Sequence, residues 1–296
     1  MKITFWGTRG SIPTPGGNTI RYGGNTPCIE LRLDDGTLFI LDAGTGIRLL
    51  GEELMKEIKL KATILISHTH WDHIQGLPFF RPAAVPGNEF TIVGGEAFGA
   101  SLKKVVSNQM KRSYFPIRLK EMPATFRFFP IKEERFQMNG ATIESMYVNH
   151  PTYAFAFKIT HNEKTIIYIT DNEPIDHKTT SQMGVRRAVL RKYLQSGTDP
   201  NQRLYDFCRG ADLLIHDATY TPDEYVHHIG WGHSHYLFPI QVAREAEVKH
   251  CVLFHHQPDR SDDDIDNILA ICQREMKRAA SGIICSAAAE RETITL

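Results

Sequence analysis

The sequence lacks features typical of membrane, exported and polyanion-binding proteins. No stretch carries the roughly 18 uncharged apolar residues of a membrane span, and the N-terminal residues show no apolar segment followed by a small-residue cleavage site. Lys plus Arg and Asp plus Glu balance at 34 each, so no overall field attracts nucleic acid or an anionic surface. The five cysteines include no C-x-x-C pair, which excludes a zinc knuckle and a disulfide framework. We therefore expect a cytoplasmic protein without a membrane partner.

The pattern of apolar residues predicts a single α/β domain over residues 1–296. An insertion at 172–209, which carries Arg186, Arg187, Arg191 and Lys192 on a predicted helix, could cap its functional site. Strands are predicted at 2–6, 27–33, 37–42, 62–67, 89–93, 125–129, 141–149, 154–160, 165–170, 212–216 and 250–255, and helices at 46–58, 97–109, 184–195, 237–247 and 262–279. Because the strands fall into two groups, each followed by helices, we expect a four-layer αββα sandwich.

The densest group of metal-ligand side chains is the hexapeptide His68-Thr69-His70-Trp71-Asp72-His73, directly after a predicted strand. Imidazole and carboxylate groups together suit zinc, manganese or iron, and four of them in six residues can serve two ions. Later strands also end in ligand types, at His150, at Asp171 and at His255-His256. Taken singly, such residues are more often loop, turn or capping residues. Their repetition at strand ends favours a metal centre.

These residues resemble the metallo-β-lactamase superfamily, whose H-x-H-x-D-H motif the hexapeptide matches in full. The resemblance implies the αββα fold and two divalent metal ions, zinc before manganese or iron. It implies a first ion held by His68, His70 and His150, a second ion held by Asp72, His73 and His255, a bridging Asp171 and a supporting Asp42. His256 competes with His255 for the last ligand position, and His255 is preferred because the family pattern of His, two residues and Pro matches His255 and Pro258.

Two further segments resemble ribonuclease Z and its phosphodiesterase relatives. His216-Asp217-Ala218-Thr219 is similar to their His-Glu-Ala-Thr element, and Gly232-His233-Ser234 matches their Gly-His-Ser element. In that group the acidic residue orients the histidine, which protonates the leaving oxygen. The resemblance therefore implies catalytic roles for Asp217 and His233 beside Asp72, although aspartate here replaces the longer glutamate. The Gly-rich loop 7–13 resembles the first loop of the same group, and its backbone amides could approach a phosphate.

The expected activity is hydrolysis of a small or cyclic phosphodiester by a hydroxide that bridges two metal ions. No cysteine follows a ligand-bearing strand, which disfavours the common class B β-lactamase chemistry. Ribonuclease Z enzymes insert a long transfer-RNA-gripping arm between the ligands matching His150 and Asp171, whereas only 21 residues separate them here. An RNA 3′-end nuclease, a thioester or lactone hydrolase of the glyoxalase II kind, and a metal or redox sensor remain alternatives.

Residues 101–120 carry six basic side chains and no acidic one, with Tyr114 and Phe115 among them. Basic groups interleaved with aromatic ones can hold phosphates and stack bases. The alternative is a solvated basic helix face with two core aromatics. The expected partner is thus a small phosphodiester, with RNA as the alternative, and a homodimer is compatible with the sequence.

Overall fold

A computed structural model gives the fold and describes residues 1–96, 99–175, 199–278 and 282–296. The helix predicted at 184–195 and most of the capping insertion lie outside the described residues. Within the described ranges, no helix is both long and apolar enough to span a bilayer.

The first sheet opens with an antiparallel meander and continues with parallel strands. Its strands are β1 (Lys2–Gly7), β2 (Cys28–Arg32), β3 (Leu38–Leu41), β4 (Lys61–Leu65), β5 (Glu89–Gly94), β6 (Thr125–Pro130) and β14 (Thr293–Thr295). Their order is β14-β1-β2-β3-β4-β5-β6, with antiparallel pairing from β14 to β3 and parallel pairing from β3 to β6. The predicted hairpin turn at Asp34-Asp35-Gly36 joins β2 to β3, with Gly36 at a φ of 86°.

The second sheet consists of β7 (Arg135–Met138), β8 (Ala141–Tyr147), β9 (Phe155–His161), β10 (Lys164–Ile169), β11 (Leu213–Asp217), β12 (His250–Phe254) and β13 (Ile284–Ala287). Its order is β13-β12-β11-β10-β9-β8-β7. Pairing is antiparallel from β7 to β10 and parallel from β10 to β13.

Helices lie on the outer faces of the two sheets. The longest described helix, Asp262–Arg278, has three aspartates in its first turn, where the helix dipole favours negative charge. The helices are α1 (Gly46–Leu54), α2 (Trp71–Ile74), α3 (Leu102–Gln109), α4 (Gln202–Cys208), α5 (Pro222–Tyr225), α6 (Leu237–Glu245) and α7 (Asp262–Arg278), and 3₁₀ turns lie at Gly17–Thr19, Leu77–Phe79, Arg81–Ala84 and Leu119–Glu121.

Three apolar layers confirm the αββα sandwich. Strand β3 illustrates them, because Phe39 faces the layer between the sheets and Ile40 faces the layer under the helices of the first sheet. The third layer lies between the second sheet and its helices, where Leu214 packs with Phe238 and Val242. Since both faces of each sheet are covered, the central strands are almost continuously apolar.

The parallel strands direct the chain's functional groups to one edge. In the first sheet β3 and β4 run parallel, so Asp42 and His68 follow their carboxyl ends side by side. In the second sheet β10, β11 and β12 run parallel, and Asp171, Asp217 and His255 lie at their carboxyl ends. The sandwich therefore gathers residues that are far apart in sequence into one site.

Candidate metal centre and active site

Two site residues hold a left-handed backbone that is uncommon for residues with a side chain. Asp42 directly follows β3 with a φ of 59°, and His255 directly follows β12 with a φ of 58°. Such a conformation costs about 1–3 kcal/mol and persists only where surrounding contacts hold it. At these two strand ends, it turns a carboxylate and an imidazole into the site.

A first cluster joins His68, His70, His150 and Asp171, with one potential ligand atom from each within 4.8 Å of the others. Nε2 of His68 lies 3.4 Å from Oδ2 of Asp171. Nδ1 of His70 lies 3.2 Å from Nε2 of His150. The cluster therefore brings together three imidazole nitrogens and one carboxylate oxygen.

A second cluster joins Asp72, His73, Asp171 and His255 within the same limit of 4.8 Å. Oδ2 of Asp72 lies 3.2 Å from Nε2 of both His73 and His255. Oδ1 of Asp171 lies 3.2 Å from the same two nitrogens. Asp171 thus presents one oxygen to each cluster, which is the geometry that a bridging carboxylate needs.

The donor atoms fit divalent metal ions. Nε2 of His68 and Nε2 of His73 are buried and have no hydrogen-bond partner among the described residues, an arrangement that is costly unless a cation takes that place. For zinc with ligands at 2.0–2.1 Å, neighbouring ligand atoms of a tetrahedron lie roughly 3.3 Å apart. The separations of 3.2–3.4 Å around Asp171 match that value.

Charge in the site also favours cations. Asp42, Asp72, Asp171 and Asp217 are all buried at this edge. Four carboxylates carry four negative charges when ionised, and burying them without compensation is costly. Two divalent ions would neutralise that charge.

Asp42 supports the second cluster from behind. Its Oδ1 accepts a hydrogen bond from the backbone N–H of Ser67 at 2.7 Å. Its Oδ2 accepts from the hydroxyls of Ser67 and Tyr168, both at 2.7 Å, and from Nδ1–H of His73 at 2.8 Å. Because Nδ1 of His73 is held in this way, Nε2 is left to face the second cluster.

Three other candidate ligand histidines are oriented in the same manner, whereas His70 turns its Nδ1 toward the first cluster. Nδ1 of His150 donates to the carbonyl of Gly232 at 3.1 Å. Nδ1 of His68 contacts the hydroxyl of Ser67 at 3.1 Å, and Nδ1 of His255 contacts the hydroxyl of Thr219 at 3.1 Å. In each case the protein holds Nδ1 and leaves Nε2 for the clusters.

Burial keeps several of these imidazoles neutral. It lowers the pKa of His68 and of His150, and with the neighbouring His68 it lowers the pKa of His70 to about 4. Neutral imidazole is the form that binds metal. For His73, burial lowers the pKa, but the carboxylates of Asp72, Asp171 and Asp42 outweigh it and raise that pKa well above its usual value. The carboxylates that favour a proton there also favour a metal cation.

His233 lies beside both clusters. Its Nδ1 donates to Oδ2 of Asp217 at 3.0 Å and lies 3.8 Å from Oδ2 of Asp171. Its ring stacks on that of His255 at a centroid distance of 5.0 Å and an interplanar angle of 19°. Burial alone lowers the pKa of His233, but Asp171 and Asp217 outweigh it and raise that pKa to about 9.

The short side chain of Asp217 reaches His233 despite replacing a glutamate. Asp217 is itself fully hydrogen-bonded, because Oδ1 accepts from the backbone N–H of Thr219 at 2.9 Å and from its hydroxyl at 2.7 Å. Oδ2 also accepts from the backbone N–H of Ser234 at 3.2 Å. The carboxylate is therefore fixed where it can orient the imidazole.

Comparison with known proteins identifies the family. Residues 37–191, more than half of the chain, match the profile of the beta-lactamase superfamily domain. The chain belongs to that superfamily. It is 26% identical to the ribonuclease Z of Thermoplasma acidophilum, over 90% of this chain and 89% of the relative.

Two solved structures share the fold of this superfamily member over its whole length. The short form of human tRNase Z aligns with a TM-score of 0.65 and 20% identity, covering 100% of this chain and 99% of the other. Unliganded yeast PDE1 aligns with a TM-score of 0.70 and 13% identity, covering 100% and 99%. Superfamily membership, together with the two His/Asp clusters, supports a metal-dependent hydrolase.

The structure distinguishes His255 from His256, the two candidates for the last ligand position. His255 joins the second cluster, whereas Nε2 of His256 donates to the carbonyl of Ala288 at 2.9 Å. Burial lowers the pKa of His256 to about 3, so this histidine is a neutral residue of the interior. Of these two histidines, only His255 lies beside Asp72 and Asp171.

The expectation that amides of the Gly-rich loop could approach a phosphate is wrong for Thr8 to Ile12. The N–H groups of Thr8 and Arg9 donate to the carbonyl of Asn25, that of Gly10 to His256, and that of Ile12 to Gly10. The N–H of Ser11 donates to Oδ2 of Asp72 at 2.8 Å. These amides are used within the protein, and one of them orients a candidate metal ligand.

The two aromatic residues of the basic segment 101–120 differ in burial. Phe115 is half-buried and packs edge-to-face on Phe79 at a centroid distance of 5.4 Å. Tyr114 is 78% exposed. Phe115 is therefore packed as expected if the segment is a solvated basic helix face with core aromatics, whereas Tyr114 is not.

Sequence reasoning missed Glu173, which is buried beside the site. Its carboxylate accepts hydrogen bonds from the backbone N–H groups of Gly230 and Gly232. Burial raises the pKa of this carboxyl above its usual value. A signal was present, because an acidic residue stands two positions after Asp171 and directly before Pro174, in a segment predicted to reach the site.

Proposed function

We propose that this superfamily member is a phosphodiesterase with two metal ions that hydrolyses a small or cyclic phosphodiester. The observation that carries the proposal is the Asp217–His233 pair beside Asp171. Nδ1 of His233 donates to Asp217 at 3.0 Å and stands 3.8 Å from the proposed bridging carboxylate. An imidazole held there is suited to protonate the oxygen that leaves a diester.

The proposed ligands of the first ion are His68, His70, His150 and Asp171, and those of the second are Asp72, His73, His255 and Asp171. Zinc is the first choice because imidazole and carboxylate ligands suit it, with manganese or iron as alternatives. When bound, two such ions supply Lewis acidity and activate a water molecule for in-line attack. Of the chain's own groups, His233 holds the proton at Nε2 for the leaving oxygen. Asp217 accepts Nδ1–H, and it therefore orients the protonated ring and keeps that proton on Nδ1 after Nε2 has given up its own.

A small substrate is supported by the short connection between His150 and Asp171. That stretch is occupied by β9 and β10, which pair as a hairpin around Asn162 and Glu163. Nothing in it corresponds to the arm expected of a transfer-RNA-processing enzyme. Cleavage at an RNA 3′ end is the second candidate, and it is favoured by the similarity to ribonuclease Z over 90% of this chain.

The test uses His233→Ala with two diesters that differ in leaving group. With an alkoxide leaving group, the rate should fall on the order of 10²–10⁴-fold, the range expected for one proton donor. With p-nitrophenolate, which departs without protonation, the loss should be much smaller. His227→Ala is the matched control, because His227 is exposed on the same stretch of chain.

Metal content is measured for each variant by elemental analysis. Equal losses on both substrates, with metals retained, would rule out His233 as the proton donor. Loss of metal from His233→Ala would make His233 a ligand instead.

Parallel assays with a cyclic nucleotide, a short RNA with a 3′ extension and a glutathione thioester distinguish the substrates. Turnover of the RNA alone selects the nuclease, and turnover of the thioester alone overturns phosphodiester hydrolysis.

A further inference from the structure

Glu173 connects the proposed metal centre to the loop that carries His233. Its side chain is buried, with a residue exposure of 3%. Oε1 accepts from the N–H of Gly230 at 2.8 Å and from the hydroxyl of Tyr225 at 3.2 Å, and Oε2 accepts from the N–H of Gly232 at 3.0 Å. We propose that Glu173 is a positioning residue that sets both the candidate ligand His150 and the candidate proton donor His233. This inference rests on the proposed function.

The link to His150 runs through Gly232. The N–H of Gly232 is bound by Glu173, and the carbonyl of Gly232 accepts from Nδ1–H of His150 at 3.1 Å. Gly232 has a φ of 90°, and a Cβ added there would lie 2.0 Å from Nδ1 of His150. The loop therefore lies directly against this imidazole, and a shift of Gly232 would release Nδ1 and turn the ring away from the first cluster.

The main chain of Glu173 holds the other side of His150. The N–H of Glu173 donates to the carbonyl of Asn149 at 2.8 Å. The N–H of Asn149 donates to Oδ1 of Asn172 at 3.1 Å. The residue before His150 and the residue that binds its Nδ1 are thus both attached to the segment Asp171–Glu173.

The link to His233 is the next peptide of the same loop. His233 directly follows Gly232, and Ser234 after it donates its hydroxyl to the carbonyl of Asn172. The N–H of Asn172 donates to Oδ2 of Asp217 at 3.3 Å, the oxygen that also accepts from His233. Glu173 and Asn172 therefore hold the loop on both sides of His233.

A carboxylate suits this position because its partners are all donors. Two backbone N–H groups and one hydroxyl face the two oxygens of Glu173, and ionised acceptors form the stronger hydrogen bonds. A glutamine of the same size offers one oxygen, and its NH₂ group would face an N–H donor. Glu173→Gln therefore removes one loop attachment with little change in volume.

The experiment compares Glu173→Gln and Glu173→Ala with Asp212→Asn in the full-length chain. Asp212 is a matched control because it is also buried and accepts a backbone N–H, that of Thr165 at 2.8 Å, at the opposite end of β11. Three readouts are used: zinc affinity by chelator competition, amide hydrogen exchange at Gly230 and Gly232, and the ratio of rates on alkoxide and p-nitrophenolate diesters.

Glu173→Gln should lower zinc affinity on the order of 10–100-fold, as expected when a group that orients a metal ligand is lost. Exchange at the two glycine amides should become faster, because their acceptor is weakened. The rate ratio should move toward that of His233→Ala, with the loss in kcat rather than KM. Asp212→Asn should change none of the three, although it lowers thermal stability.

The proposal is overturned if Glu173→Gln keeps wild-type zinc affinity, glycine exchange and rate ratio and differs only in stability, as Asp212→Asn does. If the wild-type protein hydrolyses no diester, the proposed function fails. Zinc affinity and amide exchange then still decide the role of Glu173. If Glu173→Ala does not fold, the isosteric Glu173→Gln supplies the same readouts.

Discussion

At the scale of single residues, Asp171 is the group that both clusters share. Oδ2 lies 3.4 Å from His68, and Oδ1 lies 3.2 Å from both His73 and His255. Burial raises the pKa of Asp171, but His255, His73, His68 and His233 outweigh it and hold that pKa well below its usual value. The carboxylate therefore stays ionised, as a bridge between two cations requires.

Asp171→Ala should lower metal occupancy and abolish hydrolysis, because neither ion would then be held at the spacing that a shared bridge sets. Elemental analysis and a diester assay on the same preparation check both effects. Asp223→Ala, which removes an exposed carboxylate on α5, is the control and should change neither. A fully active Asp171→Ala that still holds two metal ions would show that the bridge is elsewhere.

The local motif could be predicted from its spacing, and Asp42 and Asp217 from the family resemblance, whereas Glu173 was not predicted. The hexapeptide containing His68 and His73 displays its ligand spacing within six positions. Glu173 depends on Gly230 and Gly232, which lie 57 and 59 residues away in the sequence. The preference for His255 over His256 came from the family pattern that includes Pro258, whereas the backbone turn at φ 58° that directs His255 into the second cluster is not visible in the sequence.

At the scale of elements, the long apolar strands and amphipathic helices were predictable, and the short strands at the sheet edges were not. The strands β7, β13 and β14 and the short helices α2, α4 and α5 were not predicted. Strand β7 has four residues with alternating exposed and half-buried positions, and β14 has three. Edge strands of this kind bury little and have weak apolar patterns. The Asn139-Gly140 pair, a hairpin signal with both residues at positive φ, could have indicated the pairing of β7 with β8.

A single methyl group at Gly232 would clash with the candidate ligand His150. Gly232→Ala would add a Cβ 2.0 Å from Nδ1 of His150 at a φ of 90°. The loop between α5 and α6 must then move, so zinc affinity and diester hydrolysis should both fall. Zinc competition and kinetics on the purified variant measure the two effects.

Gly210→Ala is the matched control for backbone strain. Gly210 has a φ of 67°, and nothing lies within 4 Å of an added Cβ. The substitution should therefore cost only the strain of a left-handed alanine, roughly 1–2 kcal/mol of unfolding free energy. Equal zinc affinity in Gly232→Ala and Gly210→Ala would show that the loop does not hold His150.

At the scale of the whole molecule, the proposed centre joins the two sheets. His68 and His73 follow β4 of the first sheet. His150, Asp171 and His255 follow strands β8, β10 and β12 of the second. Between the sheets lies the apolar layer that contains Phe39 and Phe254. Metal ions at this edge would therefore link the two halves of the sandwich, and without them the buried carboxylates would repel one another.

Purified protein should accordingly carry close to two divalent ions per chain, and removing them should lower its thermal midpoint. A ligand that binds only the folded state stabilises it by about 4 kcal/mol when its free concentration is 1,000 times its dissociation constant. For a chain of this length, about 4 kcal/mol corresponds to a shift of the thermal midpoint by roughly 5–10 °C.

Elemental analysis of protein purified without chelators, followed by thermal melts with and without a chelator, measures the metal content and the thermal midpoint. The melt of Asp171→Ala should respond less to the chelator than that of the wild type. A reproducible content of zero or one ion that added zinc or manganese does not raise, or a midpoint indifferent to chelation, would contradict a two-metal centre that joins the sheets.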